Sequence, residues 1–365
     1  MNGFECMPYK LTHIALLATT LFAAGASADD FEAPMFSFSG FGTLSVAHSS
    51  EDKADFTSNT IKPNGAGYSH AWSADVDSLI GAQVTANFTR QISAVVQVIS
   101  EQGYDNSYTP TVEWANIKYA ITPDFSVRLG RIVLPVFMTS DYRKVGYANP
   151  WVRPPVEFYS LVPVSNNDGV DVMYRFRTGN VTNSIQGLYG KKAIKTVGGG
   201  TINATDTVVV SDTLEYGALT FHTTYHQVNI AIGNSSLPIK LLAFGANYDP
   251  GHWFVMGEFA MNRSDMSNSN GWYVTGGYRI KNLTPYLTYS RLTALSNPGL
   301  GFPPAGQQNV SAGVRWDFYK NFDLKLQYEH INLDAGSSGT LINLQPGFQP
   351  GGRVNVFSVA VDFVF

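Results

Sequence analysis

From residue 36 onward, apolar and polar side chains alternate in short segments with a period of two. In SLIGAQVTANF, Ile80, Ala82, Val84, Ala86 and Phe88 stand against Gln83, Thr85 and Asn87. TVEWANIKYAI sets Ala115, Ile117 and Tyr119 against Asn116 and Lys118, and FSVRLGR sets Phe125, Val127 and Leu129 against Ser126 and Arg128. DVMYRF and NVSAGVRWDF repeat the pattern, with Asp171, Arg175, Ser311, Arg315 and Asp317 on the polar side. Such alternation predicts β-strands with one face in an apolar medium and the other in a polar one. Sixteen strands are expected, near 36–48, 70–88, 92–101, 110–121, 125–134, 168–177, 181–191, 205–213, 216–227, 238–248, 252–262, 271–280, 283–292, 308–318, 321–333 and 354–365. The pattern is least regular between 192 and 227.

The connections fall into two kinds. Tight joints occur at TRQ, ITPDF, RTGN, DPGH, IKNL and YKN, and longer ones at 49–69, 102–109, 135–167, 192–204, 228–237, 263–270, 293–307 and 334–353. Alternating short and long connections predict a meander with tight turns at one rim and loops at the other, as in a transmembrane barrel. Phe88, Tyr119, Phe125, Phe176, Tyr248, Trp253, Tyr278, Phe318 and Phe322 lie beside the short turns, where a wall meets lipid headgroups. An open sheet in hydrocarbon leaves unpaired backbone groups costing several kcal/mol each, so the edges must meet. The final segment VNVFSVAVDFVF is therefore read as a closing strand. It turns Phe357, Val359, Val361, Phe363 and Phe365 to lipid and Ser358, Ala360 and Asp362 inward. The fold class is all-β, a transmembrane antiparallel β-barrel of about 16 strands with both termini at the short-turn rim.

Composition narrows the setting. Charged residues are 14% of the chain, aromatics 13%, and the net charge is -4, which gives nucleic acid no basic surface. Residues 1–28 read as a signal peptide: Lys10, the apolar run LTHIALLATTLFAAG, and the small triplet ASA before Asp29. The only cysteine, Cys6, lies in that segment, so the remaining 29–365 has no disulfide or thiolate chemistry. No later run is long and apolar enough to cross a bilayer as a helix.

FGTLSV in the first strand, VRLGR before a long third loop, and a last strand ending on Phe365 resemble the general Gram-negative porin family. The resemblance spans essentially the whole exported chain. It implies a sixteen-stranded trimer in the outer membrane with a water-filled pore for small hydrophilic solutes. It further implies a third loop folded inward to narrow the barrel, and a terminal Phe read by the barrel-assembly machinery. The PEFGG-like element of enterobacterial porins is absent; VLPVFMTSDYRKVGYANPWVRPPVEFYSLVPVSNNDG stands there, which leaves a substrate-selective branch open.

The loop 135–167 carries Pro150, Pro154, Pro155 and Pro163 with Tyr142, Tyr147, Trp151, Phe158 and Tyr159, a composition suited to an ordered excursion. It is expected to enter the lumen as a constriction, with capping of the mouth or packing at a subunit interface as alternatives. Its candidate pore residues are Asp141, Tyr142, Arg143, Lys144, Arg153 and Glu157. Wall candidates from the inward alternation are Glu101, Glu113, Lys118, Arg128, Asp171, Arg175 and Arg315. Opposite charges across a narrow passage orient polar solutes and discriminate among ions; the same residues could instead form ion pairs that hold the loop. Outward Gly40, Gly42 and Ala312 offer wall-to-wall packing near the first and last strands. His222 and His226 share a face at a separation too long for one metal, and no catalytic set, cofactor motif or metal site emerges. A passive or facilitated diffusion channel is the favoured function, a solute-specific porin the runner-up, and an enzymatic or purely structural barrel the remaining alternatives. Outer-membrane lipids, solutes and ions, the assembly machinery and a homotrimer are the expected partners.

Overall fold

The computed structural model describes residues 34–232, 235–265, 268–296 and 305–365, so the expected signal segment lies outside the described residues. Sixteen long strands follow in order: β1 (Phe36–Ser49), β2 (Leu79–Asn87), β3 (Ile92–Glu101), β4 (Thr111–Ala120), β5 (Phe125–Val133), β6 (Asn166–Thr178), β7 (Val181–Lys195) and β8 (Thr201–Tyr216). They continue as β9 (Leu219–Ile232), β10 (Ser235–Tyr248), β11 (Trp253–Ser264), β12 (Asn268–Tyr278), β13 (Leu283–Ser296), β14 (Gln307–Tyr319), β15 (Phe322–Leu333) and β16 (Arg353–Val364). Each pairs antiparallel with its neighbour in sequence, and β16 returns to β1 in a register running from Phe41↔Val364 to Ser49↔Val356. The sheet is closed, and the apolar C-terminal segment is the strand that closes it.

Alternation sorts the side chains as expected. Leu44, Ile117, Leu129 and Leu287 are exposed on the outside, while Gln83, Gln97, Thr275, Thr288, Ser290 and Ser311 are buried on the inside. That inversion of the soluble-protein arrangement fits a wall between hydrocarbon and a polar interior. Phe88, Tyr119, Tyr248, Trp253, Tyr278, Phe318 and Phe322 are exposed beside the short turns. Phe125 and Phe176 are partly covered, each packing on the ring of Tyr174. The outward space at Gly40 and Gly42 is taken by the chain's own Phe365 and Phe363 rings. Those glycines therefore serve the seam within one barrel.

Strand boundaries differ from the sequence reading in two regions. The β2 strand starts at Leu79 rather than near 70, because Ser78 closes a turn onto Ala74 and Trp72–Ser73 pairs separately with β1. Strands β7, β8, β9 and β10 run further toward the outer rim than expected, reducing the connections at 192–204 and 228–237 to short hairpins. Where a wall stands above the bilayer, water lies on both faces. Pairing continues there while the hydrophobic alternation that marks a strand disappears.

The first and last external connections join. Asp55–Phe56 pairs with Ala66–Gly67, and Asp55 exchanges backbone bonds of 2.9 and 3.0 Å with Ile342. Phe56, Val76, Leu341, Ile331 and Val356 form a small apolar core beneath them. The connection between β5 and β6 holds a 3-10 turn, Gly146–Ala148, and one short helix, α1 (Val156–Tyr159). Pro155 precedes α1, where its missing N–H costs nothing, and its carbonyl accepts from Phe158 and Tyr159.

Candidate functional site

The β5–β6 connection carries enough apolar surface to need a core. Phe137, Trp151, Phe158 and Tyr159 bury theirs against the inward residues Leu188, Val209, Leu241, Phe254, Met256 and Tyr273 of β7 to β12. Its polar groups find partners on the same wall. Trp151 Nε1 donates to Thr275 and Thr288 at 3.0 and 3.1 Å. The buried Glu258 carboxylate accepts from the Met138 N–H, Tyr159 OH and Tyr273 OH at 2.8, 2.7 and 2.8 Å. Sequence reasoning missed this carboxylate. Its signal was a single acid among the inward Phe254, Met256 and Ala260 of β11.

Three candidate residues serve attachment. Arg153 is buried, forks onto Asp77 at 2.8 and 2.5 Å, pairs with Glu329 and donates to Ser358 at 2.7 Å. Glu157 is buried and accepts from Ser290 and Gln307 at 2.7 and 2.6 Å. Burial pushes its carboxyl up from the usual range, with those two donors pulling it partly back. Arg315 donates to the carbonyls of Tyr147 and Asn149 at 2.6 and 3.2 Å and pairs with Asp317 and Asp323. Beside it, Lys325 donates to the Gly146 carbonyl at 2.7 Å and pairs with Asp362 at 2.8 Å. The segment thus reaches inward faces from β7 round to β16.

Its other edge, residues 139–144, lies toward β3 to β6. Lys144 bridges Glu101 and Glu113 at 2.6 and 3.1 Å. Burial alone would lower its pKa, but the two carboxylates outweigh it and hold the ammonium above its ordinary value. Arg143 donates to the Val162 carbonyl at 3.2 Å and sits 5.9 Å from the centre of the Tyr159 ring. Tyr142 is partly buried; burial, then the charges of Glu258 and Asp141, push its hydroxyl upward. A cavity of about 110 Å³ opens between this edge and the first strands, lined by Lys62, Glu101, Arg143, Lys144, Asn149 and Pro163 among others. Lys62, which sequence reasoning did not single out, donates to the carbonyls of Asp75 and Val76 at 2.6 and 3.0 Å.

Facing the same edge, Lys118, Arg128 and Asp171 occupy consecutive register positions on β4, β5 and β6. Arg128 Nε forks onto Asp171 at 2.9 and 3.1 Å, and Gln186 adds a bond of 2.5 Å to that carboxylate. Arg175 donates to Ser184 at 3.4 Å. Among the described residues neither Lys118 nor Arg175 forms an ion pair, and Asp141 is exposed. No group of His, Cys, Asp and Glu among the described residues is placed to hold a metal ion. His222 and His226 both point inward and are buried, with His222 bonded to Thr213 and Thr224.

Residues 14–336 match the family model described as Gram-negative porin. No curated protein matches the chain. Among solved structures, Salmonella typhi OmpF in complex with daunomycin aligns at a TM-score of 0.60 and 15% identity, covering 90% of this chain and 97% of that one. The anion-selective porin from Comamonas acidovorans aligns at 0.60 and 13% identity, covering 90% and 99%. Outer-membrane expressed OmpT of Vibrio cholerae aligns at 0.59 and 11% identity, covering 92% and 100%. At these identities the likeness is one of fold.

Proposed function

The chain belongs to the Gram-negative porin family, and from that premise we propose how its barrel admits solutes. It is a diffusion channel of the outer membrane. In our reading the 135–167 segment is the constriction. It narrows the lumen from the β7–β16 side, is held at Lys144 to Glu101 and Glu113, and leaves the passage between residues 139–143 and the wall around Lys118, Arg128 and Arg175 on β4 to β6. The observation that carries this reading is the asymmetry of contacts. Trp151, Arg153, Glu157, Tyr159 and Arg315 tie the segment to β11–β16 and its neighbours, whereas Lys118 and Arg175 opposite form no ion pair among the described residues.

Small hydrophilic solutes move down their gradient, and no covalent step is assigned to any residue. Among the described residues Lys118, Arg175 and Arg143 form no ion pair, and the acid beside them at this edge is the exposed Asp141. The field across the passage therefore favours anions modestly. A homotrimer, bound outer-membrane lipids and delivery through the barrel-assembly machinery complete the reading. A trimer form of Vibrio cholerae OmpT shares the fold.

Single-channel recording in a planar bilayer tests this function. Stable open steps with a reversal potential favouring chloride over potassium support it, and Lys118→Glu moves that potential toward cations. A folded barrel without conductance would return the enzymatic or structural reading. Discrete block by one solute class would favour the solute-specific porin.

A further inference from the structure

Lys62 of the first external connection and Arg143 of the inner segment line one space, the cavity of about 110 Å³ between them. The carboxylates on its lining are engaged. Asp77 takes the Arg153 fork at 2.8 and 2.5 Å, and Glu101 accepts from Lys144 at 2.6 Å. Arg153 and Lys144 each face a second acid as well, Glu329 and Glu113. Lys62 and Arg143, by contrast, form no ion pair among the described residues. The Lys62 ammonium, 8% exposed, meets the carbonyls of Asp75 and Val76 at 2.6 and 3.0 Å, which leaves an N–H unused. Arg143 donates to the Val162 carbonyl at 3.2 Å and rests against the Tyr159 ring, which leaves most of its fork unused. Burial pulls both pKa values below their ordinary level. The attraction of Glu101 and Asp77 for Lys62, and of Glu113 for Arg143, only partly offsets it.

The cavity thus offers open donors, while its carboxylates already hold cations. An anion placed there compensates the two buried charges, and a cation meets no acid that is not already engaged. Size and lining narrow the anion. A water molecule needs roughly 10–15 Å³ of such space, so the cavity holds several waters or a solute of about four to seven heavy atoms. Val76, Leu79, Val152, Pro154 and Pro163 make much of the remaining wall apolar. Sulfate or phosphate leaves that wall without a partner, and a dicarboxylate sets its second charge against it. A single carboxylate on a short hydrocarbon tail suits both parts.

We propose that this cavity binds a short aliphatic monocarboxylate, with the carboxylate on Lys62 and Arg143 and the tail on the apolar wall. This deepens the channel reading by naming a solute class, and it rests on the inner segment's place in the lumen. The test uses the folded full barrel in neutral detergent, with magnetisation transfer from protein to added butyrate followed by NMR. Saturable transfer to butyrate is expected, and none to butyramide, which keeps the shape without the charge. Lys62→Met and Arg143→Met each lower the butyrate affinity by about tenfold or more, the change expected for one hydrogen bond to a charged group. Either variant serves if the other fails to fold. Transfer to butyramide equal to that for butyrate, or unchanged affinity in the variants, overturns the proposal. Equal competition by chloride at the same concentration overturns the monocarboxylate as occupant. Conductance is recorded alongside. Normal single-channel steps without saturable butyrate binding overturn this proposal and leave the channel reading standing. Saturable binding by a barrel without conductance supports the site and removes the channel reading alone.

Discussion

Phe365 lies over Gly40: the terminal ring fills the outward space that a side chain at Gly40 would need, while the two backbones exchange hydrogen bonds of 2.9 and 3.0 Å. The end of the chain and its first strand are cut to one another at the seam. Gly40→Val forces the ring aside and adds a branched side chain in the same place. We expect a loss of about 1–3 kcal/mol, read as a lower unfolding temperature in detergent. Phe365→Ala in the Gly40→Val background should recover part of it. Equal stability of Gly40→Val and the parent would refute the seam assignment.

Arg153 concentrates the attachment of the inner segment. Its truncation to Ala leaves Asp77 and Glu329 buried without their cation. Breaking a buried pair of this kind costs about 3–5 kcal/mol. Chemical denaturation should report that loss, and single-channel traces should become noisy as the segment detaches. Quiet traces at the parent's conductance would show that Arg153 does not hold the loop.

Glu157 links attachment to pH. Its carboxyl is raised by burial, so the folded protein favours the neutral form. Its stabilising share is then full below the unfolded value near 4.5 and falls as pH rises through the raised folded value. Glu157→Gln, which stays neutral, should therefore gain stability relative to the parent between acidic and neutral pH. A stability difference that is flat from pH 4 to 8, or that changes in the opposite sense, would remove Glu157 from this role.

Much of the barrel was legible in the chain because lipid and water impose opposite demands on adjacent residues. Ile92–Glu101 and the closing strand from Arg353 were placed within a residue. The outer ends of β7 to β10 were not, since water on both faces erases the signal there. The inner site was half legible. Alternation named Lys118, Arg128, Asp171 and Arg175 as inward, and each is. It could not tell Glu157 and Arg315, which only fasten the loop, from Arg153 and Lys144, which fasten it and also line the cavity with Arg143. That distinction depends on partners such as Asp77 and Gln307, more than 70 residues away in sequence. The union of Asp55 with Ile342 was hidden for the same reason.

A water-filled path on the Lys118 side of the lumen would expose that position to targeted thiol block. With Cys6, the sequence's only cysteine, replaced by Ser, single cysteines are placed at Lys118, at the outward Ile117, and at Leu241 beneath the loop. A charged, membrane-impermeant thiol reagent is then added during single-channel recording. A stepwise fall in current is expected for Lys118→Cys and none for Ile117→Cys or Leu241→Cys. Block at Leu241→Cys with no effect at Lys118→Cys would place the open path beneath the loop instead.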